Sequence, residues 1–89
     1  MADDSQNKQA MKEAIDTLNQ IASTNSTPKP VRKTVNDLVT DLIKEEYSLS
    51  VRAANTISLL DDITQDANMP SYVRTQLWQA VSKLESIRE

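Results

Sequence analysis

"PKPVRKTVNDLVTDL" (residues 28–42) and "PSYVRTQLWQAVSKL" (residues 70–84) share one pattern, and this pattern decides the fold. Each stretch has a proline, two further residues, a Val-Arg pair and then apolar residues at steps of three and four. Such steps place the apolar side chains on one face of a helix. The two stretches therefore predict two amphipathic helices that begin in the same way.

The similarity extends beyond these stretches. When the chain is shifted by 42 residues, residues 15–42 align with 57–84 without a gap, and eight of the 28 aligned positions are identical. The identities include the proline, the arginine and the length of the turn, which shared apolar periodicity alone does not explain. We therefore expect two tandem helix–turn–helix units, at about 6–45 and 49–88, in a single domain spanning 1–89.

The apolar periodicity predicts four helices and no strand, which is an all-α fold. We expect Ser48 or Ser50 to cap the third helix and Asn68 or Ser71 to cap the fourth. Two units are too few for a stable open solenoid, so an up-down-up-down four-helix bundle is expected. The predicted helices span about 6–23, 30–45, 49–66 and 71–88.

The 42-residue period and the phrase "DANMPSYVR" before an apolar helix resemble HEAT repeats, whose period is about 40–47 residues. In that resemblance Asp66 and Arg74 bracket the turn between the two helices of a unit. The first unit departs from it, because Thr24 stands where the second unit has Asp66.

The second half also resembles a known family. Residues 49–85 contain "LSVR", "LLDDI" leading to "MP", and "LW" followed by "VS" and "LE". These phrases are similar to those of a group of small archaeal proteins, uncharacterised protein family zero-one-four-seven. The resemblance implies an archaeal source and a small helical fold, and it implies no reaction.

The composition excludes several functions. Thirteen acidic and ten basic residues give a net charge of −3, which argues against nucleic-acid binding. Histidine, cysteine and glycine are absent, so the usual general base, thiolate nucleophile and glycine-rich phosphate loop are absent too. We expect no enzyme activity and no cofactor. The polar N-terminus and the lack of a long apolar run predict no signal peptide, no membrane partner and a cytoplasmic location.

The repeat locates candidate partner-binding residues. Leu59 and Trp78 stand where the first unit has the polar residues Thr17 and Asn36. The second unit thus carries extra apolar surface, which favours binding to a partner protein or to a second copy of the chain. An alternative is that Trp78 covers a core edge while Arg74 braces the turn. The candidate partner-binding set is Leu59, Tyr72, Arg74 and Trp78.

A carboxylate cluster supports a second hypothesis. Asp62 and Asp66 are four residues apart on the third helix, and Asp61 adjoins them. Three carboxylates on one helical turn could share a hard cation such as Mg²⁺. The simpler interpretation is a solvated helix face. The sequence therefore favours a non-catalytic interaction or self-association module, with a small metal- or ligand-binding protein as the alternative.

Overall fold

Four α-helices account for most of the described chain, which in this computed structural model comprises residues 4–67 and 69–87. No strand occurs among these residues, so the predicted all-α fold is confirmed. Asn68, one of the predicted caps of the fourth helix, lies outside the described residues. The helices are α1 (Asp4–Ser23), α2 (Lys29–Leu42), α3 (Leu49–Thr64) and α4 (Ser71–Glu85).

The helix ends differ in part from the expectation. The Ser48 side chain accepts a hydrogen bond from the backbone N–H of Val51, so the predicted cap of α3 is confirmed. The N-cap of α4 is Pro70 and not Ser71, and it makes no side-chain cap bond. Pro28 begins α2 in the same way. Proline suits the start of a helix because its missing N–H would have no partner there.

The helices pack in a ring, in which each consecutive pair is in contact and α4 closes back onto α1. The order is antiparallel, because Lys83 near the end of α4 pairs with Glu13 of α1. Tyr72 at the start of α4 likewise reaches Ser26, beyond the end of α1. This arrangement agrees with the predicted four-helix up-down-up-down bundle. Among the described residues no helix is long and apolar enough to cross a membrane.

The core consists of the apolar stripes of both units. Leu18 and its repeat counterpart Leu60 are fully buried, and so are Leu42 and Leu84. Burying one such leucine contributes about 1.5–3 kcal/mol. Ile15 and Ile57 are half-buried against this core. The doubled units therefore bury equivalent aliphatic ridges against each other, as the period of 42 predicts.

The turn within each unit repeats as well, in three of its backbone hydrogen bonds. Backbone hydrogen bonds in the α1–α2 turn recur 42 residues later in the α3–α4 turn, with donor–acceptor distances of 3.0–3.3 Å. The recurring pairs are Thr24 N to Ile21 O with Asp66 N to Ile63 O, Thr27 N to Thr24 O with Met69 N to Asp66 O, and Arg32 N to Pro28 O with Arg74 N to Pro70 O.

Candidate functional site

Six large apolar side chains remain exposed among the described residues, and they are not spread evenly. Four of the six fall within residues 43–59, around the turn from α2 to α3. Their exposed fractions, 43–60%, are too high for residues that serve only the core. The six are Ile43, Tyr47, Val51, Leu59, Tyr72 and Trp78.

Tyr47 and Leu59 line a cleft of about 250 Å³ between the end of α2 and α3. We call it the α2–α3 cleft, and its other lining residues include Asp41, Lys44 and Asn55. Val51 lies one helical turn before Asn55, on the stripe that leads to Leu59. The cleft therefore combines the apolar side chains of Tyr47 and Leu59 with two acidic and two basic ones, which are those of Asp41, Glu46, Lys44 and Arg52.

The repeat-related place in the other half of the bundle is mostly polar, although Ala10 lies there where the α2–α3 cleft has Arg52. A cleft between the end of α4 and the start of α1, which we call the α4–α1 cleft, is lined by Ser5, Gln9, Glu13, Lys83 and Ser86 among others. A shift of 42 residues along the sequence aligns most of these positions with residues that line the α2–α3 cleft. In that alignment Ser5 corresponds to Tyr47, Gln9 to Val51, Glu13 to Asn55, Thr17 to Leu59 and Lys83 to Asp41.

The two related clefts also differ in how tightly their helices pack. The Lys83 Nζ lies 3.6 Å from the Glu13 carboxylate across the α4–α1 cleft. Asp41 and Asn55 occupy these positions in the α2–α3 cleft and cannot form an ion pair with each other. α2 and α3 accordingly pack much less closely than α1 and α4. The two clefts thus differ in charge pairing, in helix packing and in size, the α2–α3 cleft having about 250 Å³ and the α4–α1 cleft about 690 Å³.

The structure does not gather the predicted partner-binding residues into one patch. Leu59 lies in the α2–α3 cleft. Tyr72 donates its hydroxyl proton to the carbonyl oxygen of Ser26, at 2.5 Å. Trp78 follows Tyr72 by six residues, which places it roughly 120° away around α4. Trp78 is 54% exposed.

Arg74 has a structural partner. Its Nε donates to the Thr64 carbonyl at 2.8 Å, and its Nη2 donates to the Asp66 carbonyl at 2.9 Å. Thr64 is the last residue of α3, so its carbonyl lacks a partner within the helix. The Asp66 carbonyl belongs to the turn that follows and also accepts from the Met69 N–H. Arg74 therefore braces the turn, as the alternative interpretation holds, while Trp78 remains exposed as the interaction interpretation holds. No contact between Arg74 and the Trp78 ring is found among the described residues.

Sequence reasoning missed Arg52. Its Nη1 donates to the Leu42 carbonyl at 2.8 Å, which is the end of α2. Arg52 also lines the α2–α3 cleft. The signal was present, because Val-Arg occurs three times in the sequence, at 31–32, 51–52 and 73–74, each time early in a helix.

The carboxylate hypothesis gains no support from geometry. Asp61 and Asp62 are exposed. Asp62 and Asp66 line a shallow cleft of about 290 Å³ against the start of α2, and Asp61 is not among its lining residues. Within residues 4–67 and 69–87, no group of three or more histidine, cysteine or acidic side chains could hold a metal ion.

Comparison with known proteins identifies relatives along nearly the whole chain. The profile described as Uncharacterised protein family (UPF0147) matches residues 1–87. A UPF0147 protein of Metallosphaera sedula is 40% identical over 83 residues, which cover 93% of each chain. A UPF0147 protein of Sulfurisphaera tokodaii is 37% identical over the same length, again with 93% of each chain covered.

Two solved structures share the fold. A protein from the uncharacterized family UPF0147 of Thermoplasma acidophilum superposes with a TM-score of 0.87 at 32% identity, covering 94% of this chain and 99% of that chain. The unknown function protein MMP1188 superposes with a TM-score of 0.83 at 38% identity, covering 90% of this chain and 91% of that chain. The sequence-based expectation of this family and of a small all-α fold is therefore confirmed.

Proposed function

We propose that this chain, which belongs to the Uncharacterised protein family (UPF0147), is a non-catalytic protein-interaction module that uses the α2–α3 cleft as its contact surface. The proposal covers another protein or a second copy as the occupant. It includes no chemical reaction, nucleic acid or membrane. A cytoplasmic location stays part of this proposal.

One observation carries the proposal: Tyr47 and Leu59 place two exposed apolar side chains in the α2–α3 cleft, where the first unit has the polar residues Ser5 and Thr17. The two clefts are related by the repeat, and the fold accepts the polar residues Ser5 and Gln9 in the α4–α1 cleft and Thr17 further along α1. The fold therefore does not require the apolar side chains of Tyr47 and Leu59. Their exposure to water is unfavourable in free energy. Clustered exposed apolar residues with a polar rim are typical of protein contact surfaces.

Site-specific photo-crosslinking tests the proposal. A benzophenone side chain is placed at Tyr47 in one variant and at its counterpart Ser5 in another, and each protein is irradiated in an extract of the native source. The expected result is a discrete crosslinked product at position 47 that is missing at position 5. Mass spectrometry of the product then distinguishes a second copy from another protein.

Competition provides the control. Unlabelled wild-type chain should suppress the crosslink, whereas a Leu59→Thr competitor, which carries the residue of the first unit, should not. A competitor with Trp78→Asn should suppress it as well as the wild type does. Equal crosslinking at both positions, or none at either, would refute the interaction function of this cleft.

A further inference from the structure

The connection between the two units differs from the turns within them. Each of the two internal turns ends in a proline, Pro28 or Pro70, which is the N-cap of the helix that follows. Between α2 and α3 this N-cap is Ser48. Residues 43–48 contain neither proline nor glycine, the two residue types that most strongly interrupt a helix. The connection between the units therefore lacks the stop signal that both internal turns have.

The backbone of this connection starts as a continuation of α2. Ile43, the residue after α2, has right-handed dihedral angles, and its N–H donates to the Val39 carbonyl at 3.1 Å as in a helix. No described residue has a positive φ, so no left-handed residue ends α2. Two side-chain hydrogen bonds stabilise the bend: Ser48 caps α3, and Arg52 donates to the Leu42 carbonyl.

Exposed apolar residues cross this connection at helical spacing. Ile43, Tyr47 and Val51 follow one another at steps of four residues, and all three are exposed. In an uninterrupted helix a step of four residues rotates the side chain by about 40°, so the three side chains would lie within about 80° on one face. In the bent chain no single helix contains them, because Ile43 follows α2 and Val51 belongs to α3. Their spacing thus fits a helix that runs through the connection.

The two units contact each other mainly through α1 and α4. α2 and α3 pack less closely and are joined by residues 43–48. A straight helix through this connection would separate the two units of one chain, and each unit can then pack against the opposite unit of a second copy. The contacts between α1 and α4, which include the Lys83–Glu13 ion pair, would re-form between the copies. Exchange of identical elements is a low-cost route to a dimer.

We propose that this chain forms an exchanged dimer, in which α2, residues 43–48 and α3 join into one helix and the first unit of each copy packs against the second unit of the other. The two long helices cross in antiparallel order at Tyr47. Ile43 of each copy then lies opposite Val51 of the other. The crossing buries apolar side chains that face water in the single chain. This inference goes beyond the proposed function and does not rest on it.

The charges near the connection permit a second copy as the partner. An antiparallel crossing at Tyr47 places Glu46 of each copy opposite Ser48 of the other. Glu45 falls opposite Leu49 in the same register. No carboxylate within residues 41–53 therefore lies directly opposite another, and repulsion between like charges does not oppose the crossing.

Light scattering coupled to size exclusion tests the inference on the purified full chain. The chain is unfolded in urea and refolded over a series of protein concentrations. The expected result is a dimer fraction that grows with the concentration during refolding and persists after dilution, because the units must open before the copies can separate. A chain that stays monomeric at every refolding concentration would overturn the inference.

A covalent link distinguishes exchange from pairing side by side. The chain has no cysteine, so the double variant Glu13→Cys with Lys83→Cys has one thiol on each side of the contact between α1 and α4. A short bismaleimide should link the two copies in the isolated dimer, which a denaturing gel shows as a covalent dimer. In the isolated monomer it should link within one chain. Links only within single chains in the dimer fraction would show that the units are not exchanged.

Ser48→Pro installs at the connection the residue type that ends both internal turns. Proline suits the bent chain, because the φ of Ser48 is −63°. Within a continuous helix the same proline removes a hydrogen bond and clashes with the preceding turn, so the dimer fraction should fall at least about tenfold. Tyr47→Ser should also lower the dimer fraction, whereas Trp78→Asn should leave it unchanged. Circular dichroism verifies that each variant is folded. An unchanged dimer fraction in folded Ser48→Pro or in Tyr47→Ser would contradict the continuous helix.

These experiments separate the exchange from the proposed function, because they use the purified chain alone. A position-47 crosslink to another protein, from a chain that never dimerises, would overturn the exchange and leave the interaction function standing. An exchanged dimer of the purified chain, with no position-47 crosslink in the extract, would support the exchange and refute the interaction function of the cleft.

Discussion

Arg74 belongs to α4, yet its Nε donates a 2.8 Å hydrogen bond to the carbonyl oxygen of Thr64, the last residue of α3. The bond joins the start of one helix to the end of the preceding one. A cation near the start of its own helix opposes the helix dipole, whereas the same cation near the end of a preceding helix is favourable. Arg74 lies between the start of α4 and the end of α3. Its favourable interaction with the end of α3 therefore offsets its unfavourable interaction with the dipole of α4.

The same placement occurs at every turn between helices. Arg32, Arg52 and Arg74 each follow their helix N-cap by four residues, and each backbone N–H donates to that N-cap carbonyl at 3.0–3.1 Å. Arg52 reaches the end of α2 as Arg74 reaches the end of α3. The Nε atoms of Arg32 and Arg52 are both buried without a hydrogen-bond partner, whereas the Arg74 Nε is bonded to the Thr64 carbonyl.

We predict that Arg74→Met lowers the free energy of unfolding by about 1–3 kcal/mol, because the carbonyls of Thr64 and Asp66 lose their charged donor. Methionine keeps most of the apolar stem, so the loss reports on the hydrogen bonds. Urea unfolding followed by circular dichroism measures it. Lys33→Met, at an exposed position on α2, should stay within about 0.5 kcal/mol.

Arg32→Met provides a matched comparison within the repeat. Its loss should be smaller than that of Arg74→Met, since the Arg32 Nε has no hydrogen bond to lose. Equal losses at the two positions would contradict the assignment of a bracing role to the hydrogen bonds of Arg74.

We predict that Thr27→Val raises the free energy of unfolding by about 1 kcal/mol. Thr27 is 1% exposed, and its hydroxyl oxygen has no hydrogen-bond partner. Its repeat counterpart is the apolar Met69, which is also buried, so the fold accepts an apolar side chain here. Valine has nearly the shape of threonine and removes the unpaired group.

Thr34→Val is the control for this change. The Thr34 hydroxyl donates to the Pro30 carbonyl at 2.9 Å, so valine there removes a hydrogen bond and should not stabilise the chain. Thermal unfolding of both variants gives the comparison. A Thr27→Val chain that unfolds at a lower temperature than the wild type would show that the buried hydroxyl is satisfied, for example by water.

The apolar periodicity and the period of 42 were enough to predict four helices, their order and the buried leucines. These features depend on the burial of apolar side chains, which leaves a regular mark on the sequence. The end of α2 was placed at about residue 45, whereas the helix ends at Leu42. Lys44 and Glu45 are good helix formers, so local propensity gives no stop signal there.

The candidate surface was only partly predictable. Comparison of the two units pointed to Leu59, because an apolar residue had replaced a polar one. It could not show that Leu59 and Tyr47 share a cleft while Trp78 does not, since this depends on which helices pack closely. The tight α1–α4 contact and the loose α2–α3 contact are properties of the assembled bundle.

Leu59 and Leu60 are adjacent in the sequence, but we expect Leu59 to belong to the interaction surface and Leu60 to the core. Leu60 is fully buried and Leu59 is 46% exposed. We predict that Leu60→Ala lowers the free energy of unfolding by about 2–5 kcal/mol through loss of burial and a cavity. Leu59→Ala should cost less than about 0.5 kcal/mol. A large loss for Leu59→Ala in chemical unfolding would place that residue in the core and remove it from the interaction surface.

Divalent metals give a direct test of the carboxylate hypothesis. We predict that Mg²⁺, Mn²⁺ and Ca²⁺ at millimolar concentration leave the thermal midpoint unchanged, because Asp61, Asp62 and Asp66 do not converge on one point. Ligand at about 100 times its Kd would stabilise the fold by about 2.7 kcal/mol, which thermal unfolding detects easily. A midpoint that rises in the wild type and not in Asp62→Asn would establish the metal site instead.

Trp78 is the single tryptophan, so its fluorescence reports on one face of α4. We predict a red-shifted emission that acrylamide quenches readily, because the side chain is 54% exposed. If the α2–α3 cleft is the contact surface, the emission should stay constant over a concentration series. A blue shift that grows with protein concentration would show that two copies pair through α4, and the self-association surface would then be the face that carries Trp78.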